Sequence, residues 1–190
     1  MVDLDDEKAS IAKSQQGDHE AFESLIKRYQ HMIHSLTFRM TGSLADSEDL
    51  AQETFIQAFQ QLVTFRHQSK FSSWLYRVAL NACLNWNKRA RRRDQAHQEW
   101  GEHLALEPTD SNQPDALTQA VQEALLDLKP AQRAAVVLTV YDGLSHAEAA
   151  RILECSETTV SWRVFAARRK LKHRLRPLVD GQERTPGENL

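Results

Sequence analysis

Cysteine is nearly missing from this 190-residue chain, which has only Cys83 and Cys155, far apart. They offer no CxxC pair and no disulfide framework, which suits a reducing compartment. Glycine (6) and proline (5) are scarce as well, which disfavours turn-rich all-β folds and collagen-like chains. No run approaches the roughly 18 apolar residues of a membrane span. The acidic opening MVDLDDEKAS holds no apolar segment of the kind a signal peptide needs. These absences point to the cytoplasm. No glycine-rich phosphate loop and no nucleophile constellation is present. His31 and His34 share a helix face, but no carboxylate or cysteine completes a ligand set beside them, and His97 and His103 stand apart in a polar stretch. Catalysis, a metal centre and a cofactor are therefore not expected.

What is abundant is helix-forming: Ala, Leu, Gln, Glu and Arg. With 41% apolar and 26% charged residues the chain reads as globular and all-α. Its net charge of −2 would normally argue against nucleic acid, but the average conceals blocks of alternating sign. Residues 1–60 carry 11 acids and 5 Lys/Arg; residues 61–93 carry 8 Lys/Arg and no acid. Residues 94–131 carry 8 acids and 1 Lys/Arg, residues 132–176 carry 9 Lys/Arg and 4 acids, and the remainder is acidic again. A polyanion responds to local potential, so two separated basic blocks outweigh the sum.

The stretch from Asp94 to Asn112 loses helical periodicity, and Pro108 and Pro114 punctuate its end. It predicts an acidic linker over 94–115 between two small helical domains, 1–93 and 116–178, with a disordered tail over 179–190. In the first domain Phe22, Leu25, Ile26, Tyr29, Ile33 and Leu36 recur at helical spacing. Asp46 or Ser47 is expected to cap the next helix, with Leu50, Thr54, Ala58 and Leu62 inward and Phe55 and Phe59 supporting them. A further helix opens near Ser72 or Ser73. Its apolar side is Trp74, Leu75, Val78, Ala79, Ala82 and Trp86. Its other side carries Arg77, Asn81, Asn85, Lys88 and Arg92, a polar-to-basic stripe with Arg89 beside it. A merely solvated face usually interleaves acids, and here none occurs over 33 residues. The stripe therefore suits phosphates, and its asparagines suit base edges.

In the second domain a helix is expected over Ala116–Leu128. Pro130 stands at N1 of the next, whose core side includes Val136, Val137 and Val140, and Gly143 ends it. "LSHAEAARIL" reads as a short helix with Ser145 as N-cap and Glu148 completing a capping box. The turn "ECS" and the basic helix "SETTVSWRVFAARRKLKHRL" follow. Two short helices joined by such a turn are a helix-turn-helix pattern. Ala150 is small at the close approach, and Val160, Val164, Ala167 and Leu171 point inward. Thr158, Thr159, Ser161, Trp162, Arg163, Phe165, Arg168 and Arg169 are left partly outward, the early ones toward base edges and the later arginines toward the backbone.

"DSEDLAQETFIQAFQQL" followed by "FSSWLYRVALNACLNWNKRARR" resembles the second conserved region of bacterial sigma factors. "LDLKPAQRAAVVLTVYDGLSHAEAARILECSETTVSWRVFAARRKL" resembles their fourth. The order and short linker are similar to the extracytoplasmic-function group. The resemblance implies a non-catalytic factor that binds core RNA polymerase through its clamp coiled coil and flap, selects promoters and assists melting. It implies a polymerase-binding surface at Asp46, Glu48, Asp49, Gln52, Glu53 and Phe55. It implies −10 recognition by Phe65, Arg77, Asn81, Asn85, Lys88, Arg89 and Arg92, the loop from Phe65 to Ser72 holding a flipped base. The −35 element falls to Thr158, Thr159, Ser161, Trp162, Arg163, Arg168, Arg169 and Lys170. An anti-sigma factor is the further partner implied, with the chain held at the membrane through it. The chain departs from the family where Glu154 replaces the usual glycine of the turn, Ala149 a larger aliphatic residue, and Phe165 and Ala166 the usual histidine and arginine. The rival reading is a conventional helix-turn-helix transcriptional regulator, which leaves the acid-free block unexplained.

Overall fold

The computed structural model describes residues 4–100 and 116–182. Regular structure among them is helical throughout: α1 (Leu4–Gln15), α2 (His19–Thr41), α3 (Leu44–Gln61), α4 (Phe71–Trp100), α5 (Ala116–Leu126), α6 (Pro130–Val136), α7 (His146–Ile152) and α8 (Glu157–Gln182). A 3-10 turn, Leu62–Thr64, closes α3, and a π-type turn, Val137–Tyr141, prolongs α6.

Local chemistry sets the boundaries. The Asp18 carboxylate accepts from the Ala21 amide at the start of α2, and Gly42 ends that helix at φ 76, a left-handed conformation that glycine adopts without steric cost. The cap of α3 is Ser43, whose side chain accepts from the Asp46 amide, not Asp46 or Ser47 as expected. Ser47 is buried and donates to the Leu44 carbonyl. The next helix opens at Phe71, ahead of the expected serines, with the Ser73 and Trp74 amides donating to the Lys70 carbonyl. The capping box of Ser145 and Glu148 forms as expected. Pro130 occupies the first turn of α6, and Gly143 takes φ 68 beyond it.

Helix α1 was not anticipated, because its apolar content is low; Ile11 is its buried hydrophobic anchor. Polar contacts complete the docking. Gln15 Nε2 donates to the Leu62 and Phe65 carbonyls at 3.0 and 2.9 Å, and the Tyr29 hydroxyl donates to Glu7. The expected inward stripes of α2, α3, α4 and α8 are packed. Val140 is instead half exposed, because the π-type turn shifts the register of α6 after Val137 and Leu138. Helix α5 stops at Leu126, and α4 runs beyond Arg93 to Trp100. Residues 101–115 of the expected linker, and 183–190 of the expected tail, lie outside the described residues.

Helices α1–α4 and α6–α8 share one apolar core, in which Met40, Leu75 and Ala79 are continuous with Ala134, Val137, Leu138, Ala149 and Ile152, while Leu125 of α5 packs with Leu128, Val136 and Ala167 in a second, smaller cluster. Polar pins cross the seam. Arg133 is buried and donates to the carbonyls of Leu125, Leu126 and Leu128 at the end of α5 and of Met40 at the end of α2. Helix C-termini present unpaired carbonyls and partial negative charge, so one guanidinium satisfies both ends. Gln122 donates to the Phe38 carbonyl at 3.1 Å. A Cβ on Gly42 would stand 2.4 Å from Leu126 Cδ1, so glycine permits this approach as well as the turn.

Candidate nucleic-acid interface

The stripe on α4 holds together as a surface. Asn81, Asn85, Lys88, Arg89 and Arg92 are exposed, while Leu75, Ala79, Ala82 and Cys83 on the opposite side are buried. Burial pushes the Cys83 thiol up to about 12, which keeps it protonated and inert. Two members of the expected set sit differently. Arg89 is on the shoulder of the stripe and lines a cleft with Asp46, Asp49, Leu50, Glu53 and Trp86. Arg77 is half-buried against α7: its guanidinium donates to the Arg151 carbonyl at 2.8 Å and pairs with Glu154 at 3.3 Å.

The loop before α4 corrects another expectation. Phe65 is buried, packed on Phe71 and Trp74 with ring centroids 5.6 and 5.3 Å away. Its ring shapes the loop from inside and offers no open stacking face. Solvent is met by Arg66, His67, Gln68, Ser69 and Lys70, with His67 at φ 54. A left-handed residue beside a buried aromatic turns the polar side chains outward. Trp74 and Trp86 are partly buried against the core, as expected.

On α8 the buried residues Val160, Val164 and Ala167 define the inner face. Thr158, Trp162, Phe165 and Arg169 lie diametrically opposite at helical spacing, and all four are exposed. Trp162 is 64% and Phe165 67% exposed. Phe165 had been noted as outward but not as a reader, although its place one turn beyond Trp162 is legible in the spacing. Arg168 and Lys170 are exposed on the flanks. Thr159, Ser161 and Arg163 are partly covered: Thr159 bonds Ser156, Ser161 bonds His146 Nδ1 at 2.8 Å, and Arg163 donates to Cys155 Sγ at 3.5 Å. These three brace the turn as well as bordering the exposed outer face of the helix.

The acidic surface on α3 is formed by exposed Glu48, Asp49 and Gln52, with Asp46 and Glu53 half-buried at the cleft. Phe55, expected in this surface, is buried in the core, because it falls beside Thr54 and Ala58 on the inward side. Ile56, one turn beyond Gln52, takes the outward place and is 58% exposed. No group of three His, Cys, Asp or Glu among the described residues could hold a metal ion.

Two family models match this chain: sigma-70 region 2 over residues 25–93, and sigma-70 region 4 over residues 118–171. The chain is similar to the ECF RNA polymerase sigma-E factor of Haemophilus influenzae, 32% identical over 91% of this chain and 97% of that protein. It is also similar to the RNA polymerase sigma-H factor of Pseudomonas aeruginosa, 31% identical over 94% and 98%. Among solved structures it resembles the sigma factor RpoE of Bartonella quintana in complex with the anti-sigma factor NepR. The TM-score there is 0.64 and the identity 25%, over 82% of this chain and 96% of that one. CnrH in complex with the cytosolic domain of CnrY gives a TM-score of 0.66 at 26% identity, over 93% and 98%.

Proposed function

The chain belongs to the extracytoplasmic-function group of the sigma-70 family, and from that premise we propose how its surfaces divide the work of initiation. It is a sigma factor and not an enzyme: it binds core RNA polymerase and promoter DNA and directs transcription initiation. The exposed α4 stripe of Asn81, Asn85, Lys88 and Arg92 reads the single-stranded −10 element, with the polar rim of the loop from Arg66 to Lys70 beside it. The outer face of α8 reads the −35 element. There Thr158, Trp162 and Phe165 meet base edges and thymine methyls, and Arg168, Arg169 and Lys170 meet phosphates. The acidic α3 surface, centred on Asp49, Gln52 and Ile56, docks on polymerase: a basic partner surface would be attracted by the acids and anchored by the isoleucine. The region-2 unit spans 1–93 and the region-4 unit 116–178, with the polymerase flap contact on the second.

The observation that carries this assignment is the acid-free row of exposed amide and basic side chains on one face of α4, backed by a packed core. A conventional helix-turn-helix regulator would use α7 and α8 and leave that row without a role. An anti-sigma factor is the regulatory partner, supported by the two similar sigma factors whose structures hold such partners. No helix among the described residues is long and apolar enough to cross a membrane, so membrane tethering would run through that partner.

The test is transcription in vitro with core polymerase on genomic fragments, followed by permanganate probing of the promoters found. Starts sharing two upstream elements at fixed spacing are expected. The double variant Asn81→Ala, Asn85→Ala should lower permanganate reactivity about tenfold, the loss of one good base contact, with polymerase binding unchanged. Unaltered melting would remove the role assigned to α4.

A further inference from the structure

Helix α1 lies ahead of the region-2 match, which begins at residue 25, and the division of surfaces above gives it no task. Two of its polar side chains reach the frame of one loop, from opposite ends. At the last residue of the helix, the half-buried Gln15 donates through Nε2 to the Leu62 carbonyl at 3.0 Å and to the Phe65 carbonyl at 2.9 Å. The Phe65 amide itself donates to the Leu62 carbonyl at 3.0 Å. Gln15 therefore ties down the 3-10 turn from which the loop departs. Such a turn has poorer hydrogen-bond geometry than an α-helix, and the carbonyls at a helix end need donors from outside. At the far end of the loop, Glu7 accepts from the Tyr29 hydroxyl and pairs with Arg28 at 3.4 Å. The Tyr29 ring packs on Phe71, the first residue of α4, at 5.4 Å between centroids.

Phe65 and Phe71 are both buried and bracket the loop. Between them stand Arg66, His67, Gln68, Ser69 and Lys70, all exposed and none apolar. The loop has little of its own to hold it. The His67 ring rests on Phe65 at 4.8 Å, and the exposed pair of Lys70 with Glu148 contributes little. Its course is set where the backbone leaves Phe65, and that carbonyl is held by Gln15. We propose that Gln15 is a positioning residue for promoter melting: by tying the Leu62 and Phe65 carbonyls to α1, it fixes the course of the Arg66–Lys70 loop beside the single-stranded −10 element. Gln15 acts through the loop backbone and not on DNA. The inference rests on the assignment of this loop and the α4 stripe to that element.

The experiment compares the whole native chain with two variants. Gln15→Met keeps the length of the side chain and loses its donors, and Gln15→Lys supplies donors again through the ammonium. Amide hydrogen exchange over residues 62–70 of the free chain reads the loop without DNA. It should quicken about fivefold in the methionine variant, the loss of one net hydrogen bond, and return toward the native rate in the lysine variant. Permanganate reactivity of the −10 region, read with core polymerase on the promoters found by transcription, should fall about fivefold with methionine and recover with lysine. Affinity for polymerase and for the duplex upstream element should stay at the native value in both. Unchanged exchange in Gln15→Met overturns the tie, and failure of lysine to restore it overturns its basis in hydrogen bonding. Quickened exchange with unchanged melting overturns the part of Gln15 in melting. A parallel fall in polymerase and upstream-duplex affinity makes the residue a general support of the fold and overturns the positioning role. The −10 assignment is tested apart from this, by Asn81→Ala with Asn85→Ala in the Gln15 chain. Undiminished melting there overturns that assignment and with it the part of Gln15 in melting, while exchange still reports on the tie.

Discussion

Phe165 shows how a single side chain redirects a surface. It stands in the middle of the outer face of α8, where a polar residue would contact phosphate, and it presents an apolar ring to solvent. Such a ring is suited to the methyl group of thymine. Phe165→Ala should weaken binding to the upstream promoter element about fivefold, roughly 1 kcal/mol, measured by competition with a duplex carrying uracil for thymine. The uracil duplex should weaken binding for the native chain and not for the variant. Asp142 gives a different prediction. Burial raises its carboxyl above the usual 3.8, opposed by the Tyr76 phenol that donates to it and by Arg39. The folded state therefore holds this proton more tightly than the unfolded chain. Its contribution to stability is full in acid and is lost as pH rises through the folded value. Asp142→Asn should accordingly be the more stable protein in urea at pH 7, with the difference vanishing as pH falls below about 4. At this scale sequence reading was weakest for aromatics. The resemblance placed Phe55 in a docking face and Phe65 beside a base pocket, yet both are buried, Phe55 where its helical spacing beside Thr54 and Ala58 had already set it.

Helices carry the functional faces, and their periodicity made most of them legible. The α4 stripe, the inner row of α8 and the capping box of α7 follow from spacing alone, because 3.6 residues per turn and a packed core leave one outward face. The start of α3 was misread because Asp46 and Ser47 are good caps in isolation; Ser43 wins because it directly follows the left-handed Gly42. On α3 the acids Asp49 and Glu53 lie one turn apart, and Ile56 continues their side of the helix. Replacing Asp49 and Glu53 with lysine should lower polymerase affinity at least about tenfold, chiefly through slower association, measured by fluorescence anisotropy at two salt concentrations. Thermal unfolding should be little changed, because Asp49 is exposed and Glu53 only half-buried. Weakened binding that is equal at both salts would count against an electrostatic docking surface.

Across the whole molecule, the two family regions are not independent beads. They share a core, and Arg133 closes the seam with carbonyls from both sides. Arg133→Ala would strip four carbonyls of a buried donor, so a loss of about 3 kcal/mol is expected in urea unfolding. Two separable transitions would replace one if the seam carries the coupling. The amino-acid sequence by itself determined the helical class, the order of the two regions, the alternating charge and the location of the exposed polar and basic rows, because each depends on composition and short-range periodicity. Only the tertiary structure decided which row members are free. Arg77 is tied to Glu154, Arg89 borders the acidic cleft, Phe65 is inside, and Gly42 admits Leu126. Those outcomes depend on contacts between residues distant in the chain, which helical spacing does not encode.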